Sequence, residues 1–95
     1  MLTIEEIKKT VAKIAPKYNL KKVTLFGSRA SGNFRDDSDV DLIVDFPDDT
    51  TLITHVSFKY DLEDVFGVNV DVISRRGLDE TGIFEIEKEI EIYAA

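Results

Sequence analysis

The chain contains no cysteine and no tryptophan, only two prolines, and no uninterrupted run of more than four apolar residues. Without cysteine there is no disulfide framework, no thiolate-bound zinc or iron, and no thiol nucleophile. The short apolar runs do not fit a transmembrane helix, and the first residues, MLTIEE, lack the basic segment of a secretory signal. We therefore expect a cytoplasmic protein with no membrane contact.

Basic residues are scarce beyond the first third of the chain. Residues 1–35 hold eight Lys or Arg and two acids, whereas residues 36–95 hold four Lys or Arg and seventeen acids. The formal net charge of −7 argues against direct nucleic-acid binding, which needs a clustered basic surface. A basic part facing an acidic part suits a polyanionic small ligand, a metal site or a partner protein.

The length of 95 residues predicts one domain, residues 1–95, in which helices and strands alternate. An apolar stripe from Ile4 to Tyr18 predicts a helix that Thr3 caps and that Pro16 kinks or ends. A second long helix is expected to begin after Thr50 or Thr51 and to end at Gly67. The predicted strands are 22–26, 40–46 and 68–73, with a short helical turn at 28–31.

The last quarter of the chain carries weaker signals. Arg75–Gly77 is expected to be a loop, Ile83 to about Glu89 a helix, and Glu91–Tyr93 a last strand or a frayed end. The order of elements predicts an α+β fold, a small mixed β-sheet with helices packed mainly on one face.

A glycine and a serine directly follow the first predicted strand. Gly27 allows the backbone to approach a ligand closely. The free amides at the start of the next helical turn, together with the Ser28 hydroxyl, suit a phosphate group. On its own, however, a Gly-Ser pair after a strand more often marks a plain turn.

Two aspartates stand one residue apart where the second strand begins. Side chains at positions i and i+2 of a strand point to the same face, so Asp39 and Asp41 are held side by side. Like charges at such a separation repel by roughly 4 kcal/mol at an effective dielectric of about 20. A divalent cation relieves this repulsion, and oxygen ligands suit Mg²⁺ or Mn²⁺. The alternative is a pair of solvated acids at a strand end.

A third acid, Asp71, interrupts the apolar segment VNVDVI. The valines take the core face in this pattern, so Asp71 points to the opposite face. If this strand lies beside strand 40–46, Asp71 completes a three-carboxylate cluster; otherwise it is an exposed residue on an open sheet. Acids that hold two divalent ions are the arrangement of phosphoryl and nucleotidyl transfer.

The order Gly27-Ser28, ten residues, then Asp39-Val40-Asp41, with a later lone strand aspartate, resembles the signature of the DNA polymerase β-like nucleotidyltransferase superfamily. The short chain and the segments GSRASG and DSDVDLIV are similar to the minimal nucleotidyltransferase (MNT) proteins. The resemblance implies a nucleotidyltransferase fold. It also implies that the chain is the antitoxin of a HEPN-domain toxin.

The resemblance further implies the reaction, in which AMP passes from ATP to a hydroxyl of the toxin, usually that of a tyrosine. Two Mg²⁺ ions, or Mn²⁺ in their place, would be the cofactors, and a nucleoside triphosphate the small-molecule partner. The implied catalytic and metal-ligating residues are Asp39, Asp41 and Asp71. The implied nucleotide-binding residues are Gly27, Ser28, Arg29 and Ser38.

The chain departs from many relatives at Ser31, where they carry an arginine that would neutralise triphosphate charge. Arg29 or Arg35 is the candidate to replace it, because the guanidinium fork matches phosphate oxygens. The departure leaves open a second hypothesis, a catalytically weak or inactive antitoxin that neutralises its partner by binding alone. Transfer to a small acceptor such as an aminoglycoside fits less well, because those enzymes usually carry an additional domain. A homo-oligomer is compatible with apolar edge strands.

Overall fold

The computed structural model describes residues 2–81 and 88–95. Helices and strands alternate along these residues, and a 3₁₀ turn, Ala15–Tyr18, follows the first helix. The elements are α1 (Ile4–Ile14), β1 (Lys22–Phe26), α2 (Ser28–Ser31), β2 (Val40–Asp45), α3 (Leu52–Phe66), β3 (Val70–Ser74), α4 (Arg75–Thr81) and β4 (Ile90–Ala94).

The four strands form one mixed sheet in the order β3-β2-β1-β4. β1 runs antiparallel to both β2 and β4, whereas β2 and β3 are parallel. Parallel neighbours need a crossover between them, and α3 supplies it. The predicted α+β fold with a small mixed sheet is therefore confirmed.

The hydrophobic core lies between one face of the sheet and the two long helices. Val23, Leu42 and Val70 bring β1, β2 and β3 into it, and Ile7 of α1 and Phe58 of α3 pack there as well. Because strand side chains alternate, the odd-numbered residues of β2 and β3 point to the reverse face. The reverse face therefore carries the acids of both strands.

Local signals fix the ends of the two long helices as predicted. The Thr3 side chain caps α1, and Pro16, which lacks an N–H, lies in the 3₁₀ turn that begins directly after Ile14. Thr51 caps α3, and Gly67 ends it with a left-handed φ of 71°. Among the described residues, no helix is both long and apolar enough to cross a bilayer.

The prediction of a loop at Arg75–Gly77 is wrong, because these residues form the first turn of α4. The chain passes from β3 into this helix without a connecting turn, and each arginine pairs with an acid distant in sequence. Arg75 Nη2 donates to Glu89 at 2.7 Å, and Arg76 pairs with Asp48.

The bounds of the third strand differ from the prediction, and those of the last predicted helix cannot be compared with the described residues. The third strand covers Val70–Ser74 rather than 68–73, since the two residues before Val70 connect it to the end of α3. The helix expected over Ile83–Glu89 falls mostly outside the described residues, although residues 88 and 89 lie in no helix. Of the two alternatives for Glu91–Tyr93, a last strand or a frayed end, the structure has the strand, β4.

Side chains of α3 form hydrogen bonds with the outer edge of β3, where no strand of the described residues pairs with it. Glu63 Oε2 accepts the Val70 N–H at 2.9 Å, and Lys59 Nζ donates to the Val70 carbonyl at 2.9 Å. His55 Nε2 lies 3.0 Å from the Val72 carbonyl oxygen. The three side chains are spaced four residues apart, so one stripe of the helix protects the strand edge.

The contact of Glu63 with the edge of β3 predicts that part of the protein's stability is lost in acid. Bonds from Lys59 and from the Val70 N–H hold the pKa of Glu63 below its usual value. A group with a depressed folded-state pKa stabilises the fold above its unfolded pKa and loses that contribution as pH falls through the folded pKa. We expect Glu63→Gln to lower the Tm near neutral pH and to have little effect in strong acid. Thermal unfolding across pH measures this.

The matched control for Glu63 is Asp64→Asn, which removes the neighbouring exposed carboxylate; it has no partner among the described residues. An equal and pH-independent loss of Tm in both variants would contradict the role assigned to Glu63.

Candidate active site

Strand pairing brings the predicted acids and the glycine turn to one end of the sheet. Asp41 lies opposite Phe26 in the β1–β2 ladder and opposite Asp71 in the parallel β2–β3 ladder. Gly27 follows Phe26 directly, so it lies beside Asp41. Asp39 stands one residue before β2. The pairing of Asp71 with Asp41, which the sequence left conditional on strand order, is therefore present.

Gly27 packs directly against the Asp41 carboxylate. Its φ of 74° and ψ of −153° lie in a region that other residues adopt only at a cost. A Cβ built on Gly27 would overlap Oδ2 of Asp41 and lie 3.1 Å from its Cγ. The backbone conformation therefore favours glycine here, and any larger residue would also displace the Asp41 carboxylate.

Asp41 is the central carboxylate of the site. Burial is the largest cause that raises the pKa of Asp41. A hydrogen bond with Asp71 and the negative charges of Asp71 and Asp39 raise it further, to about 6. All of these causes disfavour the ionised carboxylate. A cation bound here would counter the charge repulsion directly.

The donor chemistry fits a hard divalent cation, because Asp39, Asp41 and Asp71 offer only oxygen atoms. Within the described part of the chain, no three acidic, histidine or cysteine side chains already form a metal-binding group. Asp39 is exposed, and its carboxylate makes no hydrogen bond or ion pair there. The arrangement is an open set of oxygen ligands rather than a finished cage.

Arg29, which the resemblance implies as a nucleotide-binding residue, is held by backbone carbonyls of the protein itself. Its side chain is 1% exposed, and all three of its side-chain nitrogen atoms donate to backbone carbonyls. The guanidinium also lies 5.0 Å from the centre of the Phe34 ring. The accepting carbonyls belong to Leu2, Arg35, Asp36 and Ser38. Because these contacts point into the protein, Arg29 is a buried anchor of the loop before Asp39.

The other side chains predicted to contact the nucleotide differ in whether they already have a partner within the protein. The Ser28 hydroxyl stands at the start of α2 with no partner among the described residues. The Ser38 hydroxyl accepts the Arg35 N–H at 2.7 Å and so belongs to the loop. The Arg35 side chain is exposed and pairs with no described acid. Arg35 is thus the arginine of this segment that is available to a polyphosphate.

Asn69 is a neighbour of the acids that the sequence interpretation missed. Its Nδ2 donates to Asp71 Oδ1 at 3.4 Å, and its Oδ1 accepts from Lys59 Nζ at 3.4 Å. The i, i+2 spacing of Asn69 and Asp71 places both on one face, so strand alternation was the signal that could have paired them.

A separate cleft of about 310 Å³ lies at the other end of β2 and β3. Asp45 lines it together with His55, which stacks on Phe46 with ring centres 5.0 Å apart. None of the predicted site residues lines this cleft. We therefore place the candidate active site at the end of the sheet that carries Gly27, Asp41 and Asp71. The paired carboxylates and the glycine turn lie there and not in that cleft.

A small mixed sheet with a glycine turn beside paired strand aspartates is the architecture of a nucleotidyltransferase. The family model described as a nucleotidyltransferase domain matches residues 4–94. The chain belongs to this family.

Curated relatives of the chain are named as protein adenylyltransferases. One from Methanocaldococcus jannaschii is 37% identical over 73 residues, which cover 77% of this chain and 78% of the relative. Protein adenylyltransferase MntA of Thermococcus cleftensis is 30% identical over 82 residues, which cover 82% of this chain and 83% of the relative.

Solved structures share the fold and confirm the resemblance to MNT proteins. A minimal nucleotidyltransferase structure is 38% identical with a TM-score of 0.70, covering 81% of this chain and 82% of its own. A toxin–antitoxin crystal structure with AMP-PNP has a TM-score of 0.73 at 19% identity, covering 93% and 73%. A tri-AMPylated Shewanella oneidensis HEPN toxin in complex with an MNT antitoxin has a TM-score of 0.72 at 16% identity, covering 98% and 74%. At these identities the last two show the fold alone.

Proposed function

We propose that the protein transfers AMP from ATP to a tyrosine hydroxyl of a HEPN-domain toxin and thereby acts as its antitoxin. One observation carries this proposal: Asp41 pairs with Asp71 across the parallel strands and touches Gly27. The names of the relatives support adenylyl transfer to a protein, and the solved HEPN–MNT complex supports the kind of partner.

Asp39, Asp41 and Asp71 are the proposed ligands of two Mg²⁺ ions, for which Mn²⁺ can substitute. Such ions neutralise phosphate charge and make the α-phosphorus a better electrophile. The protein contributes by holding the carboxylates together against the repulsion that helps to raise the pKa of Asp41 to about 6. Protons therefore compete with the cation as pH falls through that value.

Gly27, Ser28 and Arg35 are the proposed contacts of the triphosphate. The glycine turn leaves the backbone open to close approach, and the Ser28 hydroxyl, unpaired among the described residues, can donate to a phosphate oxygen. Arg35 supplies positive charge in place of the arginine absent at Ser31. Ser38 closes the loop that presents Arg35 and Asp39.

In the proposed reaction the acceptor oxygen bonds to the α-phosphorus, while the bond from that phosphorus to the bridging oxygen breaks. Pyrophosphate leaves with the bond electrons, and the hydroxyl proton passes to the Asp71 carboxylate. Asp71 is exposed on the reverse face of the sheet, where an acceptor from another chain can reach it.

Differently labelled ATP tests the proposal in a mixture of protein, Mg²⁺ and HEPN partner. A label on the α-phosphate is expected on the partner, whereas a label on the γ-phosphate leaves with pyrophosphate. Asp39→Ala with Asp41→Ala removes two metal ligands, so labelling should fall on the order of 10³-fold or more. Asp45→Ala, at the far end of the same strand, is the control and should label normally. Labelling that survives the double substitution contradicts the mechanism.

A second candidate function is neutralisation by binding alone. It is favoured by Ser31 in the arginine position and by the burial of Arg29, which leave Arg35 as the free arginine of the segment. Under this alternative the double aspartate variant protects cells from the toxin as well as the wild type does. Under adenylyl transfer, protection is lost although the two proteins still bind.

A further inference from the structure

Arg29 lies where the glycine turn meets the loop that leads to Asp39. We propose that Arg29 is a positioning residue, which fixes the backbone before Asp39 and so sets where that carboxylate stands. The metal-binding consequence rests on the proposed function; the backbone consequence does not.

The peptide group between Ser38 and Asp39 is the main target of the guanidinium. Arg29 Nε and Nη2 both donate to the Ser38 carbonyl, at 3.1 Å and 2.9 Å. On the other side of Asp39, the Val40 N–H donates to the Asn69 carbonyl at 2.9 Å. Asp39 therefore lies between two peptide groups that hydrogen bonds hold in place.

No polar contact with another described side chain holds the Asp39 carboxylate in place. Asp39 is exposed, and its carboxylate has no hydrogen-bond or ion-pair partner among the described residues. The backbone on either side sets the position of the Asp39 Cα atom and the direction of its Cα–Cβ bond. An interaction that fixes that backbone thus acts on the carboxylate without touching it.

Further contacts join Arg29 to one other segment and to a second residue of the loop before β2. Nη1 donates to the Leu2 carbonyl at 3.3 Å, and Nη2 also reaches the Asp36 carbonyl at 3.2 Å. The residues before α1, the loop before β2 and the helical turn after Gly27 are therefore held by one side chain. Burying a guanidinium is costly unless its donors are paired, and a planar fork meets several carbonyls at once in a way that a lysine ammonium cannot.

Two substitutions separate positioning from other roles. Arg29→Lys keeps the charge and loses the fork, and Arg29→Met removes the donors; if Arg29→Met does not fold, Arg29→Lys carries the test. In the metal-free protein we expect the amides of Ser38 and Val40 to exchange hydrogen faster in Arg29→Lys. Amides in the centre of β1 should keep their protection.

Mn²⁺ titration without nucleotide is the second readout. A residue that orients a metal ligand typically changes metal affinity by about 10–100-fold, and we expect a weakening of that size in Arg29→Lys. Val11→Ala, a truncation in the core away from the site, is the control for lost stability and should leave Mn²⁺ affinity unchanged.

Each outcome decides between the roles. Wild-type exchange rates at Ser38 and Val40 in Arg29→Lys would overturn the proposal, whatever the metal does. Unchanged Mn²⁺ affinity with weakened MgATP affinity would make Arg29 a phosphate ligand instead. Equal losses in Arg29→Lys and Val11→Ala would make it a stabilising residue only. If Asp39→Asn leaves the Mn²⁺ affinity unchanged, the proposed metal site is contradicted. The hydrogen-exchange rates at Ser38 and Val40 still test the role of Arg29 in that case.

Discussion

Replacing Asp41 with Asn is expected to give a folded protein that no longer binds Mg²⁺ at the site and no longer transfers AMP. The carboxylate lies between Gly27 and Asp71, so its loss removes the central one of the three proposed oxygen ligands. Losing several kcal/mol of transition-state stabilisation slows the reaction on the order of 10³-fold or more. Labelled ATP and Mn²⁺ titration measure the two losses.

The same substitution should stabilise the metal-free protein in a pH-dependent way. The pKa of Asp41 is raised from 3.8 to about 6, so the folded state holds this proton more tightly than the unfolded state. Stability of the wild type therefore falls as pH rises from about 4 through 6, and Asp41→Asn avoids that fall. Because Asp41 is partly open to solvent, screening limits the gain above pH 6 to roughly 1 kcal/mol.

Asp45→Asn is the matched control for Asp41→Asn, because it neutralises an acid on the same face of β2 at the far end. It should leave Mg²⁺ binding intact. Added Mg²⁺ should raise the Tm of the wild type and of Asp45→Asn, but not that of Asp41→Asn. A rise in all three proteins would place the cation elsewhere.

The second large effect is expected for Gly27→Ala. The backbone conformation of Gly27 costs other residues about 1–3 kcal/mol. The new Cβ would also overlap Asp41 Oδ2 and push the carboxylate away from Asp71. We therefore expect both a lower free energy of unfolding in urea and a loss of Mn²⁺ affinity.

Gly67→Ala is the control that separates the backbone strain at a positive φ from the contact between Gly27 and Asp41. Gly67 has a φ of 71°, close to that of Gly27, but a Cβ there would meet no atom within 4 Å. It should lower stability and leave Mn²⁺ affinity unchanged. If Gly27→Ala likewise keeps the wild-type Mn²⁺ affinity, the contact with Asp41 does not shape the metal site.

The sequence predicted the strands and helices whose bounds depend on neighbouring residues alone. Strand Lys22–Phe26, the helical turn after Gly27 and the capped start of α3 follow from β-branched residues, glycine and a capping threonine. Alternation along β3 also predicted that Asp71 faces away from the core. Whether Asp71 meets Asp41 depends on which strands are neighbours, and no local pattern specifies that.

Contacts between distant segments account for what the sequence did not predict. Arg29 follows a Gly-Ser pair, so its type and place suggested a phosphate ligand. Its partners in the structure are backbone carbonyls, which carry no residue-specific signal in the sequence. Arg75 likewise looked like part of a loop, because its partner Glu89 lies fourteen residues further along the chain.

The most direct test of the central claim is mass spectrometry of the HEPN partner after co-expression. Co-expression with the wild type should add AMP-sized increments to a tyrosine of the partner. Co-expression with the Asp39→Ala, Asp41→Ala variant should leave the partner unmodified, although the two proteins still purify together. An unmodified partner with the wild type, or an equally modified partner with the variant, would contradict adenylyl transfer by this site.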